Sequence, residues 1–285
     1  MKALKKYKVL FLILVFFAYS HTATDAKQIT VYRASDGKTI SFGQMVDDLK
    51  KTQLIFVGES HNQQRHHRLQ LEIIKALYAS KKPMAVGFEM LVAEEQQFLN
   101  QWVSGGLSLD EFLPIYYRNW NFPWPLYKDI FLYIRDNKIP ALALNVSPEI
   151  TRKVARTGFA SLSEEELKKL PSETGCIVNE QYMQFIRRAY AMHGHGGKQF
   201  LFFCEAQLLW DQVMAKNLLE YLKKTPGSSI VAIAGNGHAW KRGIPEHIRV
   251  MSEKTSYRVV LPEVPGHIDP RHTTIGDADY IILQS

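Results

Sequence analysis

Apolar residues fall along this chain in short continuous blocks rather than in alternation. They run Leu54 to Val57, Met84 to Phe88, Pro140 to Leu144, Phe200 to Phe203, Ile230 to Ala234, Tyr257 to Leu261 and Tyr280 to Leu283, each bounded by Gly, Pro or polar residues. Continuous apolarity predicts strands buried on both faces. Between the first two blocks, Gln63 to Ser80 carries Leu69, Ile73, Ile74 and Leu77 at helical spacing, so the punctuation is β-α-β. It predicts a three-layer α/β fold, a mostly parallel sheet with helices on both faces. Two connections exceed what a crossover needs. The stretches at about 91–138 and 145–198 each read as about three helices, with capping-box pairs at Ser108/Glu111 and Ser163/Glu166. Both follow strands, so both are expected to rise as helical insertions from the carboxyl edge of the sheet, as a lid or a ligand-binding subdomain. No internal repeat or linker composition divides the chain, and one large domain is expected.

The first residues change the picture of where the protein works. Lys2, Lys5, Lys6 and Lys8 precede an apolar run from Val9 to Tyr19 and a small-residue site at Thr24-Asp25-Ala26, the layout of a secretory signal peptide over residues 1–26. The run is shorter than the roughly 20 residues that span a bilayer. A mature chain of 27–285, periplasmic or secreted, is therefore expected, with membrane contact only through an uncleaved leader. Removing the leader leaves 31 Lys and Arg against 27 Asp and Glu, so the formal charge falls from +7 to +4. Without a long basic run, nucleic acid is not an expected partner. Cys176 and Cys204 share an oxidising compartment in this reading and have the opportunity to pair.

Chemistry-bearing residues collect at the carboxyl ends of the predicted strands. Gly58-Glu59-Ser60-His61 ends one, Gly87-Phe88-Glu89 another, Cys204-Glu205-Ala206-Gln207 leads toward Trp210-Asp211, and Gly235-Asn236-Gly237-His238 ends a fourth. In one parallel sheet these ends converge on a single crevice, where imidazoles and carboxylates suit general acid and base work by Glu59, His61, Glu89 and His238. The same side chains suit a divalent metal, with His61, Glu89, His238, His66, His67 and Asp211 as candidate ligands. His66 and His67 border the apolar stripe of their helix and either face the pocket or remain partly solvated. No Gly-x-Ser-x-Gly elbow is present, so water attack is the expected route for any hydrolysis. In the first insertion, residues 116–127 hold six aromatics, suited to a subdomain core or to a flat ligand. The second insertion carries Tyr182 and Tyr190 and then His193-Gly194-His195-Gly196-Gly197, and both His and Tyr ligate haem iron.

Taken in order, the Gly-Glu-Ser-His61 turn with His66 and His67, Gly87-Phe88-Glu89, Leu142-Ala143-Leu144-Asn145, Ala206-Gln207-Leu208-Leu209-Trp210-Asp211 and the run from Gly235 to Pro245 resemble the ChaN-type haem-binding proteins. These belong to the Tiki and erythromycin-esterase-like superfamily. The resemblance spans about Leu54 to Pro245 and implies a three-layer α/β domain, export, and a role in haem or iron acquisition or handling. It further implies a haem held by a tyrosine in a homodimer, assisted by a histidine of the partner chain. The candidates for haem contact are Tyr116, Tyr117, Tyr127, Tyr182, Tyr190, His193 and His195. The best-known branch is lipid-anchored, and this chain lacks the lipobox Cys. Wider relatives are esterases and metal-dependent proteases whose working residues match Glu59, His61, Glu89 and His238, which implies a hydrolase as the alternative function.

Overall fold

The structure, a computed structural model, describes residues 29–170, 174–175, 178–189 and 197–284. The expected leader, Cys176, Tyr190, His193 and His195 lie outside the described residues. The described chain begins with a hairpin, β1 (Thr30–Arg33) and β2 (Lys38–Ser41), followed by α1 (Phe42–Leu49), β3 (Leu54–Glu59), α2 (Gln64–Tyr78) and β4 (Met84–Val92). Three helices follow, α3 (Gln96–Ser104), α4 (Leu109–Asn119) and α5 (Trp124–Asp136), leading to β5 (Ala141–Asn145). The next stretch holds α6 (Pro148–Thr157), α7 (Glu164–Lys168), α8 (Glu180–Ala189) and the long α9 (Lys198–Lys224). The chain closes with β6 (Ser229–Gly235), α10 (Asn236–Ala239), α11 (Ile244–Met251), β7 (Tyr257–Pro262) and β8 (Tyr280–Ile282). Among the described residues no helix is long and apolar enough to cross a membrane.

The strands form one sheet in the order β2-β1-β8-β7-β3-β6-β4-β5. Every pairing from β8 to β5 is parallel, and the hairpin adds two antiparallel strands at one edge. The three-layer arrangement follows from the apolar blocks. Ile55 and Val57 of β3 pack into one core with α2 and α5, whereas Leu54 and Phe56 pack into the other with α9 and α11. A strand apolar at every position must be covered on both sides.

Two expectations change. Phe200 to Phe203, read as a strand, is the first turn of α9, a helix of 27 residues. Both a buried strand and a buried helix segment produce a short all-apolar run, and here the run continues with Leu208, Leu209, Val213, Met214 and Leu218 turned into the cores. Asp211 therefore reaches the crevice from the middle of a helix rather than from beyond a strand end. Cys204 is a buried free thiol on this helix. The first insertion, for its part, is mainly a packed layer. Phe131 of α5 stacks on Phe88 of β4 at 4.6 Å between centroids, and Trp102 of α3 stacks on Phe112 of α4 at 4.3 Å. At the carboxyl edge its loop from Trp120 to Phe122 packs on His61, and Tyr127 of α5 reaches Glu59.

Both serine capping boxes are formed, Ser108 with Glu111 at α4 and Ser163 with Glu166 at α7. At the other end of the chain, Gly243 lies where an added Cβ would fall 2.4 Å from the His238 carbonyl oxygen and 2.8 Å from that of Gly237. Backbone cannot yield there as a flexible side chain would. Gly243→Ala is expected to cost about 1–3 kcal/mol in urea unfolding and to move the His238 turn, seen as shifted imidazole resonances.

Candidate functional site

β6 sits between β3 and β4, with Glu59 paired to Gly235 and Phe88 paired to Ile233. This order places Glu59 and Glu89 on either side of the Gly235 backbone at the carboxyl edge. Two polar networks grow from it.

The first centres on Glu59, whose side chain is wholly buried. Its Oε1 accepts from His61 Nδ1 at 2.7 Å and from the Tyr127 hydroxyl, and its Oε2 accepts from Gln70 Nε2 at 2.8 Å. His67 Nδ1 stands 3.1 Å from the same Oε2, while His67 Nε2 lies 3.1 Å from the carbonyl oxygen of His61. Both His67 nitrogens thus face acceptors, an arrangement that favours the protonated ring. Burial is the largest single effect and opposes that charge, but the bond and charge of Glu59, with the His61 carbonyl and Gln70, together outweigh it and raise the His67 pKa. Burial likewise works to raise the Glu59 pKa, yet the bonds from His61 and His67 win and hold the carboxyl well below its usual range. His66 differs: its Nδ1 accepts from the Ser60 N–H at 2.9 Å, and burial lowers its pKa to about 4. That leaves it a neutral brace for the turn rather than a ligand facing the crevice.

The second network centres on His238, which is buried within the short α10. His238 Nδ1 is 2.7 Å from Asp211 Oδ1, and its Nε2 is 3.7 Å from Glu89 Oε1. The Tyr182 hydroxyl donates to the other Asp211 oxygen at 3.2 Å. Burial lowers the His238 pKa, but the charges of Glu89 and Asp211 prevail and push it up to about 9. Glu89 accepts the Gly235 N–H at its Oε2. A Cβ on Gly235 would lie 2.9 Å from His61 Cε1, 3.2 Å from His61 Nε2 and 3.6 Å from Glu89 Oε2, so the bare glycine is the floor on which the two networks meet. His61 keeps 29% of its side chain exposed, with Trp120 edge-on at 4.9 Å and Phe122 at 5.2 Å. Its Nδ1 is committed to Glu59, leaving Nε2 on the open side.

The structure thus brings Glu59, His61, Glu89, Asp211 and His238 together, with His67 one layer deeper. Among the described residues, no group of three or more His, Cys, Asp or Glu is disposed to hold a metal ion. The donor set gives the reason: both Glu59 oxygens are occupied by protein donors, both His67 nitrogens and the Nδ1 of His66 are on protein groups, and Asp211 is spent on His238 and Tyr182. The divalent-metal expectation gains no support.

Of the tyrosines, Tyr116 and Tyr127 are fully buried, their hydroxyls donating to the Phe122 carbonyl and to Glu59. Burial first, followed by Tyr117 and Glu59 for Tyr116 and by Glu59 for Tyr127, drives both phenols far above their ordinary pKa, the reverse of what an iron-binding phenolate requires. Tyr117 is 48% exposed and accepts the Trp124 N–H at 3.1 Å. Tyr182 is half-buried against Asp211. Gln70 escaped the sequence reading, although it is a wholly buried amide that donates to Glu59 and to the Val57 carbonyl. Its signal was a polar residue within the apolar stripe, between His67 and Ile74 at helical spacing.

The sign of the His238 shift sets a pH dependence. Its folded value near 9 lies above the ordinary 6.5, so the stabilisation is full below about 6.5 and disappears as pH rises through 9. Urea midpoints are expected to fall across that window, and less steeply in His238→Gln. An unchanged slope in the variant would assign the alkaline loss to other groups.

The family described as haem-binding uptake, Tiki superfamily, ChaN matches residues 45–248. No curated protein has a matching sequence. Among solved structures, ChaN of Campylobacter jejuni, reported for cofacial haem binding, superposes with a TM-score of 0.72 at 22% identity, covering 91% of this chain and 98% of that one. An erythromycin esterase mutant in its open conformation superposes with a TM-score of 0.50 at 11% identity, covering 90% of this chain and 82% of the other. At these identities the superpositions establish the fold. The family match covers the carboxyl edge of the sheet with its glutamates and histidines, and most of the chain besides: this protein belongs to the ChaN haem-binding uptake family of the Tiki superfamily.

Proposed function

We propose that the protein binds haem outside the cytoplasm and serves haem or iron acquisition or handling. The family match over residues 45–248 carries the reading. The surface of α4 supports it. Leu109 is 38% and Tyr117 48% exposed, and half-buried Leu113 lies between them, so residues at i, i+4 and i+8 give an outward apolar stripe that ends in a phenol. A flat porphyrin needs such a face, and ferric iron accepts a tyrosine oxygen as axial ligand. The Tyr117 oxygen is held in place by the Trp124 N–H that donates to it. Tyr117 is thus the proposed haem ligand among the described tyrosines, ahead of Tyr182, whose hydroxyl serves Asp211. A haem on an outward face leaves its other side open to a second copy of the chain, the homodimer that the resemblance implies. A leader over residues 1–26 would provide export.

A second reading concerns the crevice, where two His–carboxylate pairs, Glu59 with His61 and Asp211 with His238, meet across Glu89. This is the arrangement of a His/Glu hydrolase that activates water. His61, oriented by Glu59 and open at Nε2, is the base that takes a proton from water. His238, protonated up to about pH 9, stabilises negative charge developing on the substrate oxygen.

Ferric haem added to the purified protein is expected to give a saturable Soret band, and Tyr117→Phe to lose the tyrosine-to-iron charge-transfer band with folding intact. The absence of saturation at micromolar haem would remove the binding reading. A variant spectrum identical to the wild type would move the ligand away from Tyr117. For the crevice, hydrolysis of p-nitrophenyl esters is expected to fall by about 10²–10⁴-fold in His61→Ala and in Glu59→Gln. In the wild type it should also decline as pH rises through about 9, where His238 loses its proton. Equal rates in those variants would take the crevice out of any reaction.

A further inference from the structure

Beside the crevice lies a cavity of about 340 Å³, enclosed by α6, α9 and the loop from Trp120 to Phe122. Its size is that of a small-molecule site. The cavity lining does not include His61 or His238, but it shares walls with them. Trp120 and Phe122 pack on His61, and Trp210 packs edge-on to His238 at 5.7 Å.

Three features define what fits. The walls from Trp120, Phe122, Phe203 and Trp210 are aromatic, suited to a flat or branched apolar body. Gln207, only 3% exposed, lines the cavity, and its Oε1 is buried with no hydrogen-bond partner. A buried acceptor left unpaired is destabilising, and a ligand N–H or O–H would satisfy it. Arg152 of α6 also lines the cavity and is exposed, and no ion pair engages it among the described residues. A guanidinium at the mouth of an apolar cavity selects a carboxylate.

We propose that this cavity is a binding site for a small amphipathic acid. Such a ligand has an aromatic or branched body, an amide or hydroxyl donor for Gln207, and one carboxylate for Arg152. The site is separate from the outer stripe of α4 and does not require the histidines to be catalytic, so it stands or falls independently of both functional readings.

N-acetyl-L-tryptophan carries all three features, and its carboxamide lacks only the charge, which makes the two compounds a matched pair of probes. In calorimetric titrations of the full protein, the acid is expected to bind saturably and about tenfold or more tighter than the amide. Arg152→Gln should reduce the acid to the affinity of the amide and leave the amide unchanged. Gln207→Met should weaken both by about tenfold while the Tm holds or rises, because the orphaned acceptor is gone. Ala155→Phe, which fills the cavity from α6, should abolish both. The proposal is overturned if neither compound saturates at millimolar concentration, if Gln207→Met and Ala155→Phe bind as the wild type does, or if Arg152→Gln keeps the discrimination.

Discussion

Neutralising charge without water is the constraint on which this carboxyl edge depends. Glu59, Glu89 and Asp211 are all buried, as are His67 and His238, and His61 completes a set of three carboxylates and three imidazoles. A lone buried carboxylate is costly enough to take up a proton instead, whereas a paired and hydrogen-bonded one persists. Glu59 has the fuller solution: four donors from Tyr127, Gln70, His61 and His67 surround its two oxygens. The donors come from the turn after β3, from α2 and from α5, so this single carboxylate ties the sheet edge to two helices on the first face. On the other face Asp211 does the same for α9, α10 and α8 through His238 and Tyr182.

Sheet order makes the two networks one site. Because β6 returns between β3 and β4, Gly235 intervenes between Glu59 and Glu89, and it is the residue with no side chain to block His61 from the Glu89 side. Three strands of a parallel sheet supply the edge, and helices on both faces supply the partners that orient it. A fixed Nδ1 partner on each of His61 and His238 commits that nitrogen and leaves Nε2 to its other neighbours, Glu89 in the case of His238, the condition for directed proton transfer. The depressed Glu59 and elevated His238 pKa values are consequences of the same packing, not independent adjustments.

Six of the seven apolar blocks are strands because a fully buried parallel strand has no polar position to disguise it. The strand-end residues Glu59, His61, Glu89 and His238 were legible for the same reason: polar groups directly after such blocks have nowhere to sit but the carboxyl edge. The block at Phe200 was misleading because α9 is enclosed by both the sheet and α6 and so loses the amphipathic signature over its first turns. β1 and β2 went unseen since each is four residues long with a single buried position, and an edge hairpin of that kind lacks an apolar run. Spacing alone did not separate Tyr117 from Tyr116. Neighbours on a helix point about 100° apart, so one fills the core with its hydroxyl on the Phe122 carbonyl while the other faces outward.

That adjacency connects the outer face to the crevice. Tyr117 sits one turn before Trp120, the residue that ends α4 and lies edge-on to His61. Tyr116, between the stripe and the core, bonds to the carbonyl of Phe122, which also packs on His61. The Tyr117 hydroxyl in turn receives the first N–H of α5, the helix whose Tyr127 holds Glu59. Any load placed on the Tyr117 oxygen therefore acts on α4, on the start of α5 and on the loop between them, which roofs the crevice. The roof is aromatic and closely packed, and packed aromatic layers shift as units rather than deform smoothly. The loop from Trp120 to Phe122 thus joins the outer face of α4 to the packing around His61, and α5 joins it to the Glu59 carboxylate.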